Sequence, residues 1–131
     1  MNHRRRLLTA LLTLLPTVLA ACRGGTRGAT PLTITLVVEN RGFYDANVYA
    51  VRSAGSSGAR IGTINGNTTK IFRVRDSDLQ AGGLMVLQVR AIGGRTSWTS
   101  PALLVDTRSV ARLDIVSSGT DLSQSQLYLQ P

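Results

Sequence analysis

From Leu32 onward the chain is written in short runs of alternating apolar and polar residues, and no helical period is sustained anywhere in this part. A repeat of two puts successive side chains on opposite faces of an extended strand, so each run describes a strand with one buried face. Leu32, Ile34, Leu36 and Val38 alternate with Thr33, Thr35, Val37 and Glu39. Leu84 to Ile92 is the longest run, with Met85, Leu87, Val89 and Ala91 on one side and Gln88 and Arg90 on the other. Val110 to Val116 repeats the pattern through Ala111, Leu113 and Ile115. Turn residues interrupt the runs about every ten residues, the spacing of all-β sandwiches and barrels.

The weaker runs fit between these. Asn47 to Arg52 is a strand whose apolar residues fall on both parities. Ala59 to Ile64 is short, and Ile61 and Ile64 are out of phase unless a bulge forms at Gly62. Asn65-Gly66-Asn67 is a turn signal. Thr68 to Arg75 sets Lys70, Phe72 and Val74 on one face and Ile71, Arg73 and Arg75 on the other. Asp76 to Gly83 is a loop in which Asp76 or Ser77 could cap one helical turn. Arg95 to Ser100 is a strand around Trp98 ended by Pro101, Leu103 to Val105 is short, and Leu127-Tyr128-Leu129 is a last edge strand. The expected fold is an all-β, antiparallel β-sandwich of about seven to nine short strands over residues 32–131. Short, uneven strands favour a sandwich over a closed barrel.

The N-terminal part is different. Arg4, Arg5 and Arg6 precede an uncharged apolar block from Leu7 to Ala20. A positive start, a short apolar stretch and a small-residue end read as a secretory signal peptide over residues 1–21, too short for a spanning helix. The block ends in Leu19-Ala20-Ala21-Cys22, and Cys22 is the sole cysteine. This box resembles the lipobox of bacterial lipoproteins. The resemblance implies cleavage between Ala21 and Cys22, a diacylglycerol on the Cys22 sulfur, and a protein held to the membrane by lipid in the bacterial cell envelope. Two or more acyl chains make a stable anchor where one does not. Arg23 follows, where the familiar inner-membrane retention signal has Asp, so the resemblance favours the outer membrane in a cell with two. Arg4 to Leu8 also fits a loose twin-arginine export pattern. Residues 22–31 hold the cysteine and a Gly- and Thr-containing tether; nine flexible residues span roughly 15–18 Å.

The strand rhythm resembles the immunoglobulin-like, fibronectin type III-like and transthyretin-like domains of exported bacterial proteins, as architecture only. The immunoglobulin cysteine pair is absent, and Trp98 lies late in the chain.

Composition narrows the chemistry. Basic residues outnumber acidic ones 15 to 7, and three of the arginines lie in the signal segment. His3, the sole histidine, lies there too. A mature chain without His and with its one Cys acylated lacks the usual metal ligands and nucleophile–base pairs. We therefore expect no enzyme, no cofactor and no metal. A carboxylate-dependent glycan-active or hydrolytic enzyme using Glu39, Asp45 or Asp76 is the rival from another class, and would need two carboxyl groups about 5–9 Å apart in a cleft.

Three constellations are candidates for binding. Arg41-Gly42-Phe43-Tyr44-Asp45 joins a cation, two aromatics and an acid. Arg41, Phe43, Tyr44 and Asp45 suit a glycan or an envelope-protein partner, because aromatic and Arg side chains dominate binding hot spots. In the alternative, Phe43 or Tyr44 plugs the end of the sandwich and Asp45 makes a local turn bond. Asp76 and Asp78 could begin a calcium loop but have no third acid nearby. Trp98 with Arg90 and Arg95 could form a cation–π patch, or Trp98 could be core. Six scattered aromatics are a poor match to nucleic-acid binding, which is not expected. An accessory subunit of an envelope transport or secretion complex, docking through the Leu127–Leu129 edge, is a further reading.

Overall fold

The computed structural model describes residues 32–131 other than 57 and 120. The signal segment, the Ala21–Cys22 cleavage position and the tether lie outside the described residues. Ten strands form: β1 (Thr33–Asn40), β2 (Ala46–Ala50), β3 (Ala59–Ile64), β4 (Thr68–Arg75), β5 (Leu84–Met85), β6 (Leu87–Ala91), β7 (Ser97–Thr99), β8 (Leu103–Leu104), β9 (Val110–Ile115) and β10 (Gln126–Leu129). One sheet has the order β10-β9-β1-β4 and a second β3-β2-β6-β7, with β5 and β8 as a small third pair. The result is the expected all-β sandwich, and every pairing is antiparallel except β1 with β9, which run parallel.

The period-2 pattern dictates the core. Ile34, Leu36 and Val38 of β1 point inward, with Val74, Ala111, Leu113 and Ile115 beside them on the same sheet. Ala46, Val48, Ala50, Ile64, Leu87 and Val89 face them from the second sheet. Trp98 is partly buried and packs against this core. Its register partner is the inward-facing Val89, whereas Arg90 pairs with Ser97 on the outer face. The Trp98–Arg90 patch is thereby ruled out by parity; the Arg90 guanidinium lies instead over the Tyr49 ring, 4.8 Å from its centre.

The β3 irregularity is the expected bulge. Val48 pairs with Gly62 but Tyr49 with Arg60, so Ile61 is the extra residue. This lets Ile64 point fully inward while Ile61 still packs against the core. Glycine is required at the bulge because a Cβ at 62 would collide with the Phe72 ring lying over it.

Two expectations are corrected. The run from Leu84 to Ile92 is two strands, since the chain changes sheets at Val86. There the Val86 carbonyl accepts from Val51 N (2.8 Å), and Leu87 N donates to the Ser100 hydroxyl (3.0 Å), just before Pro101 ends the ladder. The turn after β4 is a 3-10 turn over Asp76–Asp78 with no side-chain cap. Asp78 is a buried carboxylate that receives hydrogen bonds from Arg52 and Arg75. Burial disfavours its charge, but the two arginines outweigh this and hold its pKa below the ordinary aspartate range.

Candidate functional site

The Arg41–Asp45 loop leaves the end of β1 and returns as β2. Its frame is Asn40, the last residue of β1, whose side chain points inward and is 1% exposed. Asn40 Nδ2 donates to the carbonyls of Tyr44 (2.9 Å) and Asn65 (3.2 Å), and its Oδ1 accepts from Gly42 N (2.9 Å). A buried amide is thus satisfied by two loops at once, tying the 41–45 loop to the 65–67 turn. Asn67 N donates to the Gly42 carbonyl, and Gly66 N to Asp45 Oδ1, both across the same seam. The seam is tight: a Cβ at Gly42 would strike the Ser117 hydroxyl, and one at Gly66 the Phe43 carbonyl. Asn67 takes the left-handed conformation (φ 53°) that closes the turn.

Within this frame the four residues separate into two kinds. Arg41 and Asp45 are internal ties. Arg41 pairs with Glu39 (2.8 Å) and Asp114 (3.7 Å) on the outer face of the first sheet. Asp45 caps the 65–67 turn, and its carbonyl accepts from Ile92 N (2.8 Å). Phe43 and Tyr44 project outward, with Phe43 83% exposed. Their rings meet edge to face at 5.9 Å. Phe43 does not plug the sandwich; Leu122 is the buried residue at that end, beside Asn40 and Ile115 in a hollow that the half-exposed Tyr44 also borders. Ile92 is also exposed here, and Tyr44 shares a small hollow of about 70 Å³ with Ala91, Gly93 and Gly94. The loop therefore offers an apolar tip on a rigid base, which is how a few aromatic anchors bind without a large ordering cost.

A charge network that sequence reasoning missed flanks the loop. The β1–β9 register sets Glu39 beside Asp114. Arg112 bridges them, bonding Glu39 and donating from Nε to Asp114 (3.1 Å), while the Tyr128 hydroxyl donates to Asp114 Oδ2 (3.0 Å). The hydrogen bond from Arg41 is the main cause holding the Glu39 pKa below its ordinary value. Hydrogen bonding to Asp114 raises that of Arg112, and burial raises that of Tyr128. Long-range parallel pairing leaves no local sequence signal, so this cluster was not legible.

Asp76 and Asp78 do not converge on a cation site. Asp76 Oδ1 accepts from Ser77 N (2.7 Å), and both Asp78 oxygens are taken by arginines. Among the described residues no three His, Cys, Asp or Glu side chains cluster as a metal site would need. Compared with protein-family models, curated proteins and solved structures, the chain matches none of them.

Proposed function

We propose that the protein is a lipoprotein of the bacterial cell envelope, anchored by lipid on Cys22, that acts by binding through the Phe43–Tyr44 tip and not by catalysis. The observation that carries this reading is the placement of the exposed Phe43 and Tyr44 on a framed loop at the end of β1 remote from Thr33. Eight extended residues separate the two ends, about 26 Å at the usual rise. A Gly-containing tether that joins the domain at Leu32 leaves the aromatic tip, at the far end of β1, free to face away from the membrane. An envelope protein or a glycan is the partner such a tip suits. Support for the anchor is the Leu19-Ala20-Ala21-Cys22 box and the charged, then apolar, segment before it. Arg23 after the cysteine supports the outer membrane where two membranes exist. Support for binding over catalysis comes from Glu39 and Asp114, the carboxylates brought side by side by register. Arginines engage both, and Glu39 is biased toward its charged form, the opposite of a general acid.

The second reading, a subunit of an envelope transport or secretion complex, is favoured by β10. It is an edge strand with Leu129 exposed, and Leu104 is exposed on β8, which contacts it.

The anchor is tested by growing cells with a clickable fatty acid. The wild-type chain takes up label and Cys22→Ala does not; equal labelling of both removes the anchor from the account. The tip is tested by affinity purification from detergent-solubilised envelopes. Phe43→Ser/Tyr44→Ser loses a partner that the wild type retains, whereas an identical set of co-purified species excludes the tip as the contact.

A further inference from the structure

The second sheet and its connecting loops carry charge of one sign. Strands β3, β2, β6 and β7, with the 51–58 and 92–96 connections that join them, contain Arg52, Arg60, Arg90 and Arg95 and no carboxylate. Arg52 is committed to Asp78. Arg60 is held by Asn47 and Thr63. Arg90 is fixed differently: its Nε and Nη2 both donate to Gln88 Oε1 (2.9 and 2.7 Å), and its guanidinium stacks on Tyr49. It has no acidic partner among the described residues, so its charge is oriented but not neutralised.

Arg90 borders an open concavity of about 620 Å³ between the 53–56 turn and strands β6 and β7. Its lining is amphipathic. Val51 and Val86 offer an apolar floor, and Gln80, Gln88 and Thr99 offer amide and hydroxyl groups around it. Gln80 Nε2 is used by the Val51 carbonyl (3.0 Å), which fixes the amide and leaves its Oε1 to accept from a ligand. The volume lies in the range of small-ligand sites. An apolar platform, several fixed hydroxyl- and amide-type partners and one unneutralised cation match a sugar ring bearing an acid. The C–H face rests on the valines, ring hydroxyls bond the amides, and a carboxylate meets Arg90 in a charge-assisted bond.

We propose that this groove is a binding site for an acidic saccharide, with Arg90 the residue that selects the charge. The site is separate from the Phe43–Tyr44 tip and stands whether or not Cys22 is acylated. The test is calorimetric titration of the full-length chain in a neutral detergent with trigalacturonate, with maltotriose as the uncharged comparison. Wild type binds trigalacturonate and binds maltotriose at least about tenfold more weakly; Arg90→Ala weakens trigalacturonate by about tenfold or more, and Arg90→Lys by less, since a lysine keeps charge without the fork. Arg108→Ala, which alters an exposed arginine in another loop, leaves the affinity unchanged. Thermal melts of the variants should match wild type, because Arg90 is on the surface. No heat with trigalacturonate, equal affinity for maltotriose, or equal losses from Arg90→Ala and Arg108→Ala would each overturn the proposal. So would a groove that responds only to anionic phosphatidylglycerol vesicles, which would make it a membrane contact.

Discussion

Replacing Asn40 by alanine should cost more stability than any other single polar truncation at this end of the sandwich. The side chain is almost fully buried and makes three hydrogen bonds, two as donor and one as acceptor, all to backbone groups of the 41–45 and 65–67 segments. A net 0.5–1.5 kcal/mol for each, with buried partners left unsatisfied, gives about 3 kcal/mol. In a domain of about 100 residues, 1 kcal/mol lowers Tm by roughly 4–8 °C, so Asn40→Ala should lower it by about 12–24 °C. Asn40→Asp sharpens the point. It keeps the acceptor for Gly42 N but sets a buried carboxylate against two carbonyls, and should be worse than alanine at neutral pH. Burial raises the folded pKa of such a carboxyl, and protonation restores one donor, so its deficit relative to alanine should shrink as pH falls from neutrality, with the recovery complete by about pH 4. Differential scanning calorimetry and urea titration of the full-length protein measure all three. A fall of less than about 4 °C for Asn40→Ala would refute the claim that this side chain frames the loop.

Other consequences are as specific. Asp78→Asn removes a carboxylate whose two arginines are each more than half exposed, so solvent screening limits the cost to about 1–2 kcal/mol by chemical denaturation at pH 7. Folding lowers the Asp78 pKa, so the unfolded state takes up its proton first as the solution is acidified. The contribution is complete above the unfolded value of about 3.9 and is lost as pH falls through the lower folded one. The gap in Tm between the wild type and Asp78→Asn should therefore narrow as the pH is lowered below the unfolded value of about 3.9, and a gap that stays constant on acidification would contradict the ion-pair account. Gly66→Ala forces a Cβ against the Phe43 carbonyl, a backbone atom that cannot rotate away, and should destabilise by about 1–3 kcal/mol in the same denaturation assay. A neutral Gly66→Ala would show the seam to be looser than described.

How much of this was legible in the sequence depended on whether the signal was local. Alternation along Leu32–Glu39 and Val110–Val116 reports one-sided burial directly, and those strands and their inward residues are as expected. A bulge in β3 was legible because two isoleucines of opposite parity cannot both face inward without one, but its extra residue is Ile61 and not the neighbouring Gly62. Asn40 lies just past the Leu32–Glu39 alternation, where a polar residue at a strand end carries no local sign of a structural role. Only the fold shows that two carbonyls and an N–H converge on it. The Arg41–Asp45 loop was marked by composition, but which of its residues were ties and which were free depended on Glu39, Asp114 and Gly66. Two of these are distant in sequence and invisible to local pattern. The sheet change at Val86 was likewise hidden, since Met85, Leu87 and Val89 keep one parity across it.

The central claim is that the Phe43 tip is the surface presented to a partner. It is tested most directly by placing a photo-crosslinking amino acid at position 43 in living cells, with position 71 as comparison. Ile71 is 63% exposed, on the outer face of β4. The account predicts a discrete crosslinked species from position 43 that is absent from position 71. No adduct at 43, or the same adduct from both positions, would contradict it.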